Sequence, residues 1–323
     1  MSTAPQPANL RALLDRADDY AAGGDPKSAM TFYQAALKVA QGAYPDPQTL
    51  ARLQAARAFI QKRADEFQQS LDRAVAEFRP TEPAAEIRLT HALDMLKGKR
   101  AICPQQPAVL YYPYLCQRQF FEAGEFDWAA DVEAAFPAIR EEVLGLLQGS
   151  SDFRPYVEDH PNRPRRQFHH LNNDPSWSAL YLWRDGQLVP EVAERCPRTI
   201  EALGKAPLTR IGARTPSALF SRLEGGAHIP PHSGMLNCRL ICHLPIIVPK
   251  GCWLRVGNET REWDEGKLLI FDDSIEHEAK NPSGELRIIL LFDIWRPEIT
   301  ETERQAISAI FDAIDTFQTL PDD

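Results

Sequence analysis

The chain lacks both long apolar runs and closely paired cysteines. Its longest apolar runs, such as 244–248 and 288–292, are far shorter than the ~20 residues needed to span a bilayer. No two of the six cysteines form a Cys-x-x-Cys pair, so we expect reduced, mostly buried thiols rather than a structural zinc site. The first residues show no basic segment followed by an apolar one, which predicts no secretory signal. We therefore expect a cytoplasmic protein without a membrane partner.

Positive charge is also scarce. The 36 Lys and Arg residues are outnumbered by 45 Asp and Glu residues, and the net charge of -9 argues against a nucleic-acid partner. Apolar residues make up 44% of the chain and charged residues 25%, a balance that excludes a mainly disordered protein. A length of 323 residues corresponds to about two domains.

Apolar residues recur at helical spacing through the first hundred residues, which predicts a helical domain over 1–100. Asp25 and Pro26 follow a Gly-Gly turn and are typical of a helix N-cap and a first helical position. A further long helix is predicted over 51–78. The first two helices resemble one tetratricopeptide unit, whose packing positions fall on Tyr20, Ala29, Tyr33 and Ala36. Such helices either bind a protein partner or support the domain that follows.

The pattern changes near residue 100, and we predict a second domain over 101–323. Prolines indicate a linker and a first strand over 103–115. Helices are predicted over 127–148 with a restart at Pro137, over 190–203 and over 301–318. Gly257 and Asn258 are typical of a hairpin turn, and strands are predicted over 177–183, 217–224, 237–248, 252–258, 260–264, 267–273 and 286–295. Short strands at this spacing predict a barrel or jelly roll, so the expected fold class is α+β.

A polar, turn-rich segment over 151–176 carries a local group of basic residues in this acidic chain. The group consists of Arg163, Arg165, Arg166, His169 and His170. The segment is either a solvated loop or a lip over an anionic substrate.

Two histidines and an arginine stand where the predicted strands begin or end. His232 follows two prolines, which restrict the backbone and hold the imidazole in one direction. His277 follows an apolar strand and an acidic turn, so it can point into the mouth of a barrel. Arg287 opens a strand that is apolar on both faces, and a buried guanidinium needs an anionic partner. The alternative for each histidine is a residue of a turn, and the alternative for Arg287 is a salt bridge to Asp293.

Five stretches of the second domain resemble the aspartyl/asparaginyl β-hydroxylase family of Fe(II)- and 2-oxoglutarate-dependent oxygenases. These stretches are PHSG, NCRLICHLPIIVP, GNETREWDEGK, LIFDDSIEHEA and LRIILLFDIWRPE. The likeness covers 110–300 and is dense over 217–298. It implies a double-stranded β-helix that holds iron, often preceded by tetratricopeptide helices.

The resemblance implies that His232 and His277 bind Fe(II). Gly234 stands where most 2-oxoglutarate oxygenases place a ligating carboxylate, so water would fill the missing position. Asp273 would accept a hydrogen bond from that water. The alternative for Asp272 and Asp273 is to cap the turn before His277.

The resemblance also implies how 2-oxoglutarate binds. Ser221 and Arg287 would bind its 5-carboxylate, and His243 would bind the 1-carboxylate end. Arg239 would hold a carboxylate of the substrate or share the co-substrate. Its alternative is a salt bridge across the sheet to Glu224 or another acid.

Strand alternation puts Arg239, Ile241 and His243 on one face of their strand, which should be the cavity face. The two cysteines of this strand, Cys238 and Cys242, then point the other way and cannot join His243 in a metal cluster. Many relatives carry a second arginine where this chain has isoleucine. We therefore expect carboxylate recognition to differ here.

The implied reaction is β-hydroxylation of an aspartyl or asparaginyl substrate, free or in a peptide, with O2 consumed and succinate and CO2 released. The alternatives are hydroxylation of another small molecule or of a lipid acyl chain, and a non-catalytic helical-repeat binding protein. Trp177 and Trp183 are candidates for the mouth of the site, and one of them is expected to pack in the core instead. The apolar wall is predicted from Leu268, Ile270, Ile289 and Leu291.

Overall fold

A computed structural model describes residues 7–42, 44–78, 80–148, 153–158, 171–212 and 214–319. The chain divides into two compact units, 1–102 and 103–323. No helix in the described ranges is long and apolar enough to cross a membrane.

The first unit is helical. Its helices are α1 (Pro7–Ala22), α2 (Pro26–Val39), α3 (Pro47–Val75) and α4 (Pro83–Leu96). The carboxylate of Asp25 accepts a hydrogen bond from the backbone N–H of Ser28, and Pro26 opens α2, so the predicted cap is confirmed. The first three helices bury one apolar stripe, which includes Leu14, Ala36 and Leu53. A tetratricopeptide character and a protein partner for these helices stay predictions.

The second unit carries the strands. They are β1 (Phe120–Phe121), β2 (Arg154–Pro155), β3 (Trp177–Arg184), β4 (Gln187–Leu188), β5 (Ala218–Leu223), β6 (His228–His232), β7 (Arg239–Ile247), β8 (Trp253–Val256), β9 (Glu259–Glu262), β10 (Leu269–Phe271), β11 (His277–Lys280) and β12 (Arg287–Trp295). The described part of this unit also has a 3-10 turn (Ala123–Glu125) and the helices α5 (Ala129–Ala134), α6 (Phe136–Gln148), α7 (Pro190–Ala193), α8 (Pro197–Leu203) and α9 (Glu301–Thr319).

These strands form two antiparallel sheets. The larger has the order β1-β10-β7-β12-β5-β3-β2, with β4 paired to β3, and the smaller has the order β6-β11-β8-β9. From β5 to β12 the chain passes repeatedly between the two sheets, which is the arrangement of a jelly roll. The predicted α+β fold class is confirmed. The hairpin turn at Gly257 and Asn258 joins β8 to β9 as predicted.

One face of the larger sheet is covered by helices. On β7 the side chains of Leu240, Cys242 and Leu244 join this apolar core, and α6 contributes Ile139 and Val143. Because side chains alternate along a strand, the intervening residues of β7 point to the other side, between the two sheets. That space holds the candidate site.

Two predicted elements differ from the structure, and two strands of the site were not predicted. Residues 103–115 form no strand, because their prolines cannot donate to a ladder, and isolated bridges join Gln105 to Ile275 and Leu110 to Leu236 in the loops between strands. The predicted helix over 190–203 is two short helices separated before Pro197. The prediction also missed β6 and β11, the strands that end or begin at His232 and His277.

Candidate active site

A cavity of about 240 Å³ lies between the two sheets of the second unit. It is lined by the seven residues that the family resemblance assigned to metal and co-substrate binding, and these are Ser221, His232, Arg239, His243, Asp273, His277 and Arg287. Ile289 and Leu291 add apolar surface as predicted. The fold thus brings together side chains spread over more than sixty positions of the sequence.

His232 and His277 face each other across two neighbouring strands. They are direct partners in the antiparallel register of β6 and β11, and their ring centroids lie 4.1 Å apart. The two prolines before His232 are tolerated because β6 is the edge strand of the smaller sheet. Cross-strand pairing therefore puts both imidazoles at one point of the cavity wall.

Hydrogen bonds fix the tautomers of these two rings. The Nδ1 atom of His232 lies 2.8 Å from the carbonyl oxygen of Pro230, and that of His277 lies 3.0 Å from the carbonyl oxygen of Ile275. A nitrogen that faces a carbonyl donates, so the lone pair of each neutral ring is on Nε2, as metal binding requires. Burial lowers the pKa of His277 to about 3, with His232 adding to the shift, and burial also lowers the pKa of His232.

Asp273 lies against Gly234, two residues after His232. A Cβ atom built on Gly234 would lie 2.0 Å from the Oδ2 atom of Asp273. The carboxyl group of Asp273 thus fills the space that a side chain at position 234 would need. Its Oδ1 atom is buried and has no hydrogen-bond partner among the described residues. Burial raises the pKa of Asp273 to about 6, against the opposing effect of Arg239.

Asp272 points away from the cavity. Its carboxylate caps the turn, accepting bonds from the backbone N–H and the hydroxyl of Ser274 at 3.1 and 2.6 Å. It also pairs with Arg296, and both side chains are fully buried. Asp272 therefore caps the turn, and Asp273 lines the cavity.

Arg239 is paired with the protein's own carboxylates. Its Nη1 atom donates to Asp293 at 2.8 Å, and its Nη2 atom donates to Asp273 at 3.1 Å. The salt bridge across the sheet that we kept as the alternative is present, with Asp293 in place of Glu224, which pairs with Arg222. A role of Arg239 toward a bound carboxylate stays a prediction.

Arg287 has no carboxylate partner among the described residues. Its side chain is 1% exposed, its Nε atom has no hydrogen-bond partner, and its Nη1 atom donates only a long 3.5 Å bond to the carbonyl oxygen of Ser221. Its guanidinium lies over the ring of Trp263, 5.1 Å from the centroid. Burial lowers the pKa of Arg287 to about 10. A buried cation in a cavity wall without an ion pair is suited to hold an anionic ligand.

His243 and Ser221 lie at the same end of the cavity as Arg287. Ser221 pairs with Ile289 in the register of β5 and β12, two residues along from Arg287. The Nδ1 atom of His243 accepts a hydrogen bond from the indole N–H of Trp263 at 3.3 Å, so its Nε2 atom carries the proton of the neutral ring. Burial, with Arg287 adding to it, lowers the pKa of His243 well below its ordinary value.

The apolar wall differs in part from the prediction. Leu268 and Ile270 lie in the helix-covered core, and Phe271 takes the cavity face of β10. The error is one residue of strand register, which moves a side chain to the opposite face. Trp177 lines the cavity and Trp183 packs against the core, as expected for one of the two.

Trp263 and Tyr156 also line the cavity and were not predicted to do so. Strand alternation from Arg261 could have placed Trp263 on an inward face, whereas Tyr156 is positioned by stacking on Trp177 at 4.2 Å. The basic group over 163–170 lies outside the described residues.

Chemically, the cavity offers two neutral imidazoles for a soft or borderline metal ion, a buried carboxylate beside them, and an unpaired guanidinium for a carboxylate ligand. A metal ion bound by only two histidines keeps open positions for other ligands. The donor set fits an iron ion with an anionic co-substrate.

Comparison with known proteins gives a consistent result. A family model described as Aspartyl/Asparaginyl beta-hydroxylase matches residues 133–297. The human aspartyl/asparaginyl beta-hydroxylase is 35% identical over 191 residues, which cover 58% of this chain and 24% of that protein. The ornithine lipid ester-linked acyl 2-hydroxylase of Rhizobium tropici is 35% identical over 191 residues, covering 58% of this chain and 64% of that protein.

The match thus spans about a quarter of the human relative's length. Among solved structures, AviO1 from Streptomyces viridochromogenes aligns with a TM-score of 0.30 and 13% identity, covering 52% of this chain and 86% of that one.

Proposed function

The chain belongs to the aspartyl/asparaginyl beta-hydroxylase family, and from this premise we propose that it is a hydroxylase dependent on Fe(II), 2-oxoglutarate and O2. The observation that carries the proposal is the facing pair of His232 and His277 in a cavity that also holds the unpaired guanidinium of Arg287. Relatives of this family are hydroxylases, which supports an enzymatic role.

His232 and His277 would hold Fe(II) through their Nε2 atoms, because both Nδ1 atoms are engaged with backbone carbonyls. Gly234 has no side chain to offer as a third ligand. Asp273, whose Oδ1 atom has no partner among the described residues, would accept a hydrogen bond from a water molecule that takes that place. Arg239 holds this carboxylate in position through its Nη2 atom.

Arg287 and Ser221 would bind the 5-carboxylate of 2-oxoglutarate at one end of the cavity. The planar guanidinium matches a carboxylate in two parallel hydrogen bonds. The Nε2–H group of His243 would donate to the 1-carboxylate end, since its Nδ1 atom is engaged by Trp263. These contacts orient the co-substrate toward the two histidines.

When bound, iron with 2-oxoglutarate supplies the oxidation that inserts one oxygen atom of O2 into a C–H bond, with succinate and CO2 as by-products. The chain's own residues position the reactants and exclude water. Phe271 serves the second purpose, since its ring lies 4.9 Å from that of His243 and 5.4 Å from that of His277.

The proposed substrate is the β-carbon of an aspartyl or asparaginyl residue, free or in a peptide. A second candidate is a lipid acyl chain or a related small molecule, because the Rhizobium tropici relative is named for acyl hydroxylation and Ile241 lies in the cavity wall. The helical first unit would then be a support or a site for a protein partner.

The proposal is tested by anaerobic calorimetry with Fe(II) and 2-oxoglutarate. We expect one Fe(II) ion per chain and binding of 2-oxoglutarate that depends on the metal. The variant Arg287→Gln should weaken 2-oxoglutarate binding far more than Fe(II) binding, whereas equal loss of both would indicate damage to the fold. A wild-type protein that binds neither would contradict the proposal.

A further inference from the structure

The cations of the cavity stand at opposite ends of one strand pair. Among the described residues that line the cavity, Arg239 and Arg287 are the only arginines or lysines. Arg287 opens β12, whereas Arg239 pairs with Trp295, the last residue of that strand. If the proposed function holds, Arg287 is occupied by the co-substrate. Among the arginines and lysines of the described cavity lining, Arg239 is then the one left to receive a carboxylate of the substrate.

Arg239 is already neutralised. Its two terminal nitrogens donate to Asp293 and Asp273, and its buried Nε atom has no hydrogen-bond partner among the described residues. Asp293 is itself fully buried and held by the backbone N–H of Ser217 at 3.2 Å. One guanidinium thus faces two carboxylates, and the group carries no surplus positive charge toward the cavity.

The next cavity-facing residue of β7 is Ile241. It lies between Arg239 and His243 on the inward face and belongs to an apolar cluster with Phe271, Leu254 and Ile229. A carboxylate placed beside Ile241 would lose hydration against this apolar cluster, and the guanidinium of Arg239 on the same strand face is already paired with two carboxylates. An uncharged group would lose far less on entering this space.

We propose that the part of the substrate that enters this cavity is uncharged, and that Ile241 together with the doubly paired Arg239 excludes a substrate carboxylate from the metal's side. This rests on the proposed function. An asparaginyl side chain and an esterified acyl chain are both uncharged and meet this requirement. Free aspartate and an aspartyl side chain carry a carboxylate and do not.

The test measures how strongly Mn(II) in the site relaxes the proton signals of small probes, with the protein loaded with Mn(II) and 2-oxoglutarate. Mn(II) takes the same histidine and oxygen ligands as Fe(II) and is paramagnetic. Two matched pairs are compared, N-acetyl-asparagine methylamide with N-acetyl-aspartate methylamide, and methyl hexanoate with hexanoate. If the peptide-like pair is relaxed, the uncharged group belongs to a peptide substrate; if the hexanoate pair is relaxed, it belongs to an acyl chain.

We expect the neutral member of at least one pair to be relaxed at least about tenfold more strongly than its carboxylate partner. The variant Ile241→Arg should raise the relaxation of the carboxylate members, whereas Ile241→Leu should leave the preference unchanged. A carboxylate relaxed as strongly as its neutral partner overturns the inference, and so does the absence of relaxation in both neutral probes. If the wild-type protein does not bind Mn(II), the proposed function fails and the inference falls with it.

Discussion

The carboxyl group of Asp273 occupies the space beside the Cα atom of Gly234, where a metal-ligating side chain would otherwise start. A Cβ atom at position 234 would lie 2.0 Å from Oδ2 and 2.3 Å from Cγ of Asp273. The glycine and the aspartate therefore depend on each other. The glycine leaves room for the carboxyl group, and Arg239 holds the carboxyl group in that room.

The variant Gly234→Ala should lower Fe(II) affinity by roughly tenfold, the scale seen when a partner behind the metal ligands is lost. The added methyl group displaces Asp273, because this short side chain is tied to Arg239. The free energy of unfolding should also fall, by about 1–3 kcal/mol from overpacking. Metal titration and urea unfolding of the variant measure the two effects.

Gly145→Ala is the matched control for this change. A Cβ atom there meets nothing within 4 Å, and the position is exposed on α6, so Fe(II) affinity should stay at the wild-type value. The free energy of unfolding should rise by about 0.5–1 kcal/mol, because alanine favours a helix more than glycine does. Unchanged metal affinity in Gly234→Ala would show that Asp273 plays no part at the metal.

His232→Ala and His277→Ala should each reduce Fe(II) affinity by more than about 100-fold, because loss of a direct ligand exceeds loss of its supporting partners. His228→Ala is the control, since His228 lies on the same strand but pairs with Glu278 at 2.7 Å outside the cavity lining. Metal titration with circular dichroism separates binding from folding. Equal metal loss in all three variants would argue against the facing pair as the site.

Arg287→Met should make the protein more stable and less functional at once. Burial of this charge without an ion pair lowers the pKa of Arg287 to about 10, a cost on the order of 3 kcal/mol that is present wherever the guanidinium is charged. We expect the metal-free variant to gain about 1–3 kcal/mol in free energy of unfolding, while 2-oxoglutarate affinity falls by at least about 100-fold.

Arg287→Lys is the comparison, because it keeps the charge and loses the planar pair of donors. This variant should show no gain in stability and a partial loss of 2-oxoglutarate affinity. If Arg287→Met is instead strongly destabilised by urea, the arginine has a structural partner and is not held for a ligand.

Asp272→Asn should destabilise the second unit by about 3–5 kcal/mol, because it leaves the fully buried Arg296 without its main counter-charge. Urea unfolding measures the change. Glu298→Gln removes the second and more exposed partner of Arg296, 3.4 Å away, and should cost less than about 1 kcal/mol. A similar loss of unfolding free energy in the two variants would mean that the buried pair of Asp272 and Arg296 stabilises the fold no more than the exposed contact to Glu298.

Much of the second unit could be predicted from the sequence, because alternation along β7 and β12 is regular. Arg239, Ile241 and His243 face the cavity, and Leu240 and Cys242 face the helices, as the two-residue period requires. The helix restart near Pro137 and the N-cap at Asp25 also follow from local chemistry. These features depend on neighbours in the chain.

Other features depend on partners far apart in sequence. Strand β6 was not predicted because Pro230 and Pro231 argue against a strand, and only its edge position makes them acceptable. Asp293 pairs with Arg239 and not with Arg287. In the register of β7 and β12, Asp293 lies opposite Ile241, two residues along from Arg239, whereas Arg287 lies at the far end of β12. The same arrangement leaves Arg287 without a carboxylate among the described residues, and strand alternation could not decide between this outcome and a pair with Asp293.

The measurement that most directly tests the site is O2-dependent conversion of 2-oxoglutarate to succinate by the purified protein with Fe(II). Wild-type protein should form succinate, and His232→Ala, His277→Ala and Arg287→Gln should form it at least about 100-fold more slowly, with His228→Ala close to wild type. Succinate formation that survives loss of either cavity histidine would contradict the proposed iron site, and so would its absence from wild-type protein supplied with neutral and carboxylate substrates.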